Sequence, residues 1–396
     1  MTTTPQSNAD TLASQLLASP SIAAPALASA LRRAAPMPPL TPPQVAQALI
    51  AAFKQPSIGP FSSPTPEQIA TALAAAFSEP AITVFDLMQA VDGAFQTPPP
   101  PITLDELATA AVFALNARPV TAGDVAAALH RIAPAATIAD VAQALVAAYA
   151  PPLVIVPIEV GTALVQAFGN HATMTAVSTA LIASFPTMKA NVLAATLAQV
   201  YKLGRADVAP LLEALSHLPG LDAARAAIAV RPALDLPLTD ATLLAAPLAQ
   251  QFGLTQAPND VAALGVAIFS AEYKLDVAAV AFEAVFSPWN GFDYGRLASV
   301  YLRPEWPIAI RLQSDGQTVT EAAPQIRKQV PEISSSDMAL VLASVFDLTN
   351  ADDGVTPVAH AMKAAGYPLS ETAVGMCQFF MPWTADDFGR VLQVYQ

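Results

Sequence analysis

The chain has 396 residues, 54% of them hydrophobic and only 12% charged, with 18 basic side chains and a formal net charge of −13. That balance argues against nucleic acid as a partner, because phosphate recognition needs clustered Lys and Arg and no basic run here is longer than a pair such as Arg32–Arg33. It also excludes a membrane span as the chain stands, since 37 prolines cut every apolar run below the roughly 18 residues that cross a bilayer.

Residues 1–40 read as an N-terminal segment, partly disordered. Met1–Asp10 is rich in Thr, Ser, Gln and Asn and is expected to lack fixed structure. It has no basic n-region and no apolar h-region, so no conventional secretory signal is read. This leaves a cytoplasmic protein or one exported by a leaderless route. The Pro-rich stretches Pro36–Pro43 and Pro98–Pro101 predict extended spacers.

From Thr41 a short motif keeps returning, clearest at Thr41–Phe53, Thr65–Phe77, Thr137–Tyr149 and Thr175–Phe185. Its first aliphatic positions are Val45, Ile69, Leu87, Leu107, Val125, Val141, Val160, Val177, Val192 and Val208. A second apolar residue follows four places on, and in several copies an aromatic follows after another four, as in Phe53, Phe77 and Tyr149. This spacing lays all three on one stripe of an α-helix. Thr41, Thr65, Thr83, Thr103, Thr121 and Thr137 stand where N-caps belong, with Pro42 and Pro66 at first helical positions. Asp86, Asp105, Asp124, Asp140 and Asp207 fall in first turns, where the helix dipole favours negative charge. The fold class expected is therefore all-α: an α-solenoid-like array of units of about 18 residues, each one helix and a connector, in one superhelix or two packed subdomains. The N-terminal array runs over 41–218. Residues 1–200 hold only 16 charged side chains. Their surface is thus expected to be largely Ala, Thr, Ser and Gln, suited to being covered or to self-association.

Residues 219–257 break the period with Pro232, Pro237 and Pro247 and are expected to form a Pro-rich junction. The remainder, 258–396, carries an internal duplication: Ala271–Tyr301 aligns with Ala365–Tyr395 without a gap, pairing Pro288-Trp289 with Pro382-Trp383 and Gly295-Arg296 with Gly389-Arg390. Between the copies, the Ser-Asp-Gly of Arg311–Val319 fits a small hairpin or a loop between helices.

The second copy reads A-G-Y-x-L-x-x-x-A and then F-F-x-x-W-T-A-x-D-x-G-R-x-L-x-x-V-Y over Ala365–Tyr395. This resembles helical repeats appended to large bacterial exported and toxin-associated proteins, over about a third of the chain. Those repeats are Lys-rich, whereas this chain has few Lys, and the resemblance carries no catalytic residue set with it.

No motif for chemistry accompanies the array. His130, His171, His217 and His360 lie in four different repeats with no His, Cys or carboxylate at metal-ligand spacing. They are read as structural or solvent-facing, and no cofactor is expected. Cys377 is the one cysteine and is expected to be a small core residue. Asn350–Gly354 fits a turn with a helix cap better than a calcium loop, because its oxygens miss the required positions. The residues singled out as candidate partner anchors are Trp289, Arg296, Trp306, Trp383 and Arg390, since Trp and Arg dominate binding hot spots. Packing that each copy must repeat is the competing reading of the duplicated ones.

The function these features predict is a non-catalytic helical-repeat scaffold that binds a protein partner or receptor. The alternative is a bacterial toxin or exported effector, insecticidal or pore-forming, whose contact with a membrane requires its helices to rearrange.

Overall fold

The computed structural model describes residues 24–34, 40–53, 64–78, 81–96, 101–116, 120–149, 153–257, 260–348 and 350–396. Among them the chain is an all-α, solenoid-like array of 22 short α-helices, in two compact units, 1–187 and 188–396. The expectations for Met1–Asp10, Pro36–Pro39 and Pro98–Pro100 lie outside the described residues.

The first unit holds α1 (Ala24–Ala34), α2 (Pro42–Phe53), α3 (Pro66–Ala76), α4 (Val84–Phe95), α5 (Leu104–Ala114), α6 (Ala122–Ile132), α7 (Ile138–Ala148), α8 (Pro157–Phe168) and α9 (Met174–Ser184). The expected caps start these helices. Thr65, Thr103, Thr121 and Thr137 each accept the N–H three residues on, and the side chain of that residue reaches back to the threonine N–H at 2.8–3.1 Å. Each reciprocal pair satisfies two donors that a helix start leaves open. The first-turn acids are therefore capping groups. The Thr137 hydroxyl, and then its N–H, hold the Asp140 carboxyl below its ordinary range.

Counting from the cap gives the rule of the repeat. The fourth and eighth residues are large and the fifth and seventh small, and all four are buried. In α3 they are Ile69, Leu73, Ala70 and Ala72; in α7, Val141, Leu145, Ala142 and Ala144. The small pair lets neighbouring helices approach, since interaxial distance follows the side chains at the contact. Much of the alanine is therefore interior, which corrects the expectation of an alanine-rich surface. Two register expectations also shift by a place or two. The α9 cap is Thr173, not Thr175. In the tenth helix Leu193 takes the core position while Val192 is 42% exposed.

Each helix packs chiefly on the next but one. In the first unit α1, α3, α5, α7 and α9 form one layer and α2, α4, α6 and α8 the other. The second unit begins with α10 (Ala190–Tyr201), α11 (Val208–Leu215), α12 (Ala223–Ala233), α13 (Thr242–Gln251), α14 (Val261–Ser270), α15 (Leu275–Val285) and α16 (Gly291–Tyr301). It continues with α17 (Glu305–Ser314), α18 (Val319–Gln329), α19 (Ser335–Val345), α20 (Ala351–Ala364), α21 (Leu369–Phe379) and α22 (Ala385–Tyr395). Residues 219–257, expected as a junction, thus hold α12 and α13, with Pro232 and Pro247 inside them.

The second unit contains two successive stacks. Layers α10–α12–α14–α16 and α11–α13–α15 make the first; α17–α19–α21 and α18–α20–α22 make the second. The chain changes stack at α17, which packs on α12 and α14. Glu272 bridges Arg231 (2.6 Å) and Arg311 (3.1 Å) there, and Gln313 accepts from Arg225 while donating to the Val345 carbonyl. Arg311 lies within α17 and Gly316 turns the chain after it at φ +79°. Arg311–Val319 is therefore a helix end and loop, not a hairpin.

Basic side chains clamp helix ends across the stacks. Arg32 in the last turn of α1 donates to the Ala76 carbonyl of α3 and lies over the Phe77 ring. Arg327 of α18 donates to the Ala365 carbonyl ending α20 (2.7 Å), over Tyr367, and Lys363 of α20 to the Val394 carbonyl of α22 (2.6 Å), over Tyr395. Each places a cation at the partly negative end of the next helix but one.

Close backbone approach marks the second stack. A Cβ on Gly375 of α21 would lie 2.5 Å from the Ser335 carbonyl oxygen at the start of α19. Gly375→Ala is expected to cost about 2 kcal/mol, in the range of core overpacking, read as a lower denaturation midpoint at unchanged slope. Cys377 in the same helix is half-buried, with Sγ 3.2 Å from the Val374 carbonyl. The core expectation for it fails because it falls one place beyond the buried eighth position. Asn350 caps α20, accepting from the Asp352 N–H.

Candidate functional site

The duplicated segments are α15–α16 and α21–α22, the terminal helix pairs of the two stacks. In the first copy Trp289 is half-buried, stacked on Phe286 at 6.3 Å and edge-on to Phe282 at 6.1 Å. In the second, Trp383 is partly buried against the core of its stack. Trp306 sits in α17 and packs against that same core. Trp306 and Trp383 thus pack on one core, that of the second stack, while Trp289 packs on Phe282 and Phe286 of the first copy.

The two arginines differ. Arg390 donates to the Ala351 and Asp352 carbonyls at 3.0 and 3.2 Å and pairs with the Asp352 and Asp387 carboxylates. It fastens α22 to the first turn of α20. In the 94-residue register Ala351 matches Ala257, which lies before the first residue of α14, Val261. Arg296, 47% exposed at its side chain, pairs with Asp293 at 3.3 Å. It borders a cavity of about 640 Å³ lined also by Gln256, Phe286, Ser287, Asn290 and Phe292.

The caps diverge in the same way. Thr384 donates both its N–H (2.9 Å) and its hydroxyl (2.6 Å) to Asp387, holding that carboxyl below its ordinary range, with Arg390 adding to the effect. The first copy has Asn290 in that place, whose Oδ1 accepts from the Phe292 and Asp293 N–H groups. Asp293 is buried, and its Oδ2 is left without a hydrogen-bond partner. A buried acceptor left unpaired costs its desolvation. Asn290→Thr adds the hydroxyl donor that Thr384 supplies in the second copy and is expected to stabilise by about 1 kcal/mol, read as a rise of about 2–4 °C in Tm for a unit of this size. An unchanged Tm would show that Asp293 draws its compensation elsewhere.

Both terminal pairs expose apolar residues at matching places. Val280 and Val374 are exposed, as are Tyr294 and Phe388, four residues from their caps. Phe292 reaches 85% exposure, and Leu302 and Met381 are also open. Elsewhere in the second stack the cap-plus-four and cap-plus-eight positions are covered, as Met338 and Leu342 of α19 are. Sequence reasoning missed Phe292, Tyr294, Phe388 and Leu392. The signal was present for three of them, because counting four and eight from Asn290 and Thr384 lands on Tyr294, Phe388 and Leu392 as it does on core residues elsewhere.

His171, His217 and His360 are exposed, and His130 stacks on Phe168 at 4.2 Å. Among the described residues no group of His, Cys, Asp and Glu is placed to hold a metal, and no helix is long and apolar enough to cross a membrane. Comparison with protein-family models, curated proteins and solved structures found no match for the chain.

Proposed function

We propose that the chain is a non-catalytic helical-repeat scaffold that binds a protein partner at the outer end of its first C-terminal stack. The observation that carries this reading is the concentration of interface-type residues on α15–α16. Phe292 stands open beside half-buried Trp289, exposed Tyr294 and Arg296, whose guanidinium borders a cavity wide enough for a partner's side chain. Aromatic residues and Arg around a pocket are the composition of binding hot spots. Arg390, Trp383 and Trp306 serve packing, so the partner anchors proposed are Trp289, Phe292 and Arg296. The net charge of −13 steers basic partner surfaces toward the chain.

The test compares proteins retained by the full chain with those retained by Phe292→Ser and by Phe113→Ser, an exposed aromatic of the first unit. A partner lost with the first substitution and kept with the second supports the reading. An identical set from all three overturns it. Dye release from liposomes by the wild-type chain would favour the membrane-acting alternative.

A further inference from the structure

Asn290 and Gly291 form the one Asn-Gly pair of the chain, and the fold sets it in a reactive place. Both residues are exposed, one the cap and the other the first residue of α16. The N–H of a first helical residue has no place in the helix ladder, so α16 leaves the Gly291 nitrogen untied. Glycine also has no side chain to hold that nitrogen off its neighbour. The Asn290 Oδ1, meanwhile, accepts from the Phe292 and Asp293 N–H groups at 2.9 and 3.2 Å. Two N–H dipoles on one carbonyl oxygen draw charge from Cγ and stand ready for the negative charge that grows on that oxygen under attack. The second copy has Thr384 and Ala385 in these places and so carries no amide there.

We propose that Asn290 is a site of self-modification, its side-chain amide displaced by the Gly291 nitrogen. That nitrogen forms a bond to Asn290 Cγ and gives its proton to water, the Cγ–Nδ2 bond breaks, and ammonia leaves. The cyclic imide then takes up a water molecule. Opening at Cγ leaves aspartate at position 290; opening at the main-chain carbonyl leaves isoaspartate, with the chain running through the side chain. Nothing is oxidised or reduced. Either product adds a negative charge to the lining of the cavity to which Asn290 and Arg296 contribute. Aspartate remains a good cap in the favourable field of the helix start. Isoaspartate lengthens the main chain by a methylene and draws the acceptor away from the Phe292 and Asp293 N–H groups. The inference concerns the covalent chemistry of this pair and is independent of the partner reading for α15–α16.

The test ages the folded full chain in heavy-oxygen water at mildly alkaline pH and follows the tryptic peptide Leu275–Arg296 by mass spectrometry. Asn290 is the one side-chain amide in that peptide, so any amide lost from it is assigned. The expected result is loss of the amide, uptake of heavy oxygen, and a product that an isoaspartyl methyltransferase labels. Gly291→Ala is expected to slow the loss at least ~10-fold. A Cβ at position 291 meets no atom within 4 Å, and far-UV ellipticity establishes that the variant is folded. Should it not fold, the isoaspartate decides alone, since direct hydrolysis of the amide yields only aspartate. The excised peptide sets the timescale. An amide that persists in the folded chain after the peptide has lost its own overturns the proposal. So does a product free of isoaspartate, or a folded Gly291→Ala variant that converts as fast as the wild-type chain. None of these results touches the partner reading, which the Phe292→Ser retention experiment decides alone.

Discussion

Between pH 10 and 12 the second unit is expected to lose its helices well before the first. Burial pushes the Tyr201 phenol up to about 12, and raises Tyr273, Tyr301, Tyr367 and Tyr395 in the same unit; the first unit has Tyr149 alone in this state. Three of these hydroxyls also donate to backbone: Tyr301 to Tyr273, Tyr395 to Tyr367 and Tyr367 to Ile333, at 2.7–3.0 Å. The fold thus holds the neutral phenol. The stability this confers is complete below the unfolded value near 10 and is lost as pH climbs through the raised folded values. Five such groups lie in this one unit, so their ionisation weakens it together. Tyrosinate absorbance should rise together with the loss of ellipticity, and hydrogen exchange should open residues 188–396 first. Tyrosines that ionise near pH 10 with the helices intact would sink the idea.

The second large effect is a contrast between two leucines at one repeat position. Leu342 of α19 and Leu392 of α22 both lie eight residues beyond their caps, Ser334 and Thr384. Leu342 is fully buried; Leu392 is exposed. Leu342→Ala should cost about 3 kcal/mol, from lost transfer energy and the cavity left behind. Leu392→Ala should cost less than about 1 kcal/mol. Equal losses would mean that position in the repeat, rather than place in the stack, decides burial.

Much of the fold was legible because its signals are local. A threonine, an acid or amide three residues on, and aliphatics at four and eight fix where a helix starts and which stripe it buries. The register slipped at Val192 because α10 is capped by Lys189, which makes no side-chain bond to the helix start and so leaves no mark in the sequence. The turn-back at α17 was not legible. It rests on pairs such as Arg225–Gln313, 88 residues apart, which no short-range pattern encodes. At the candidate site the duplication announced both arginines as equals. What separates them is the partner each finds: Arg390 grips the Ala351 and Asp352 carbonyls of another helix, whereas Arg296 pairs with Asp293 of its own. The exposure of Phe388 was hidden for a related reason, since it stands at the cap-plus-four place of core residues elsewhere, yet α22 buries Val391 and Val394 instead.

The next-but-one packing of the first unit has a mechanical consequence. Each helix there is held by its nearest two predecessors and successors, with no tie spanning the whole stack. Load applied along such a stack is carried by many equal joints in series, each a few kcal/mol deep. It should therefore give by one helix pair at a time and recoil as those pairs close again, behaving as a soft spring rather than a brittle rod.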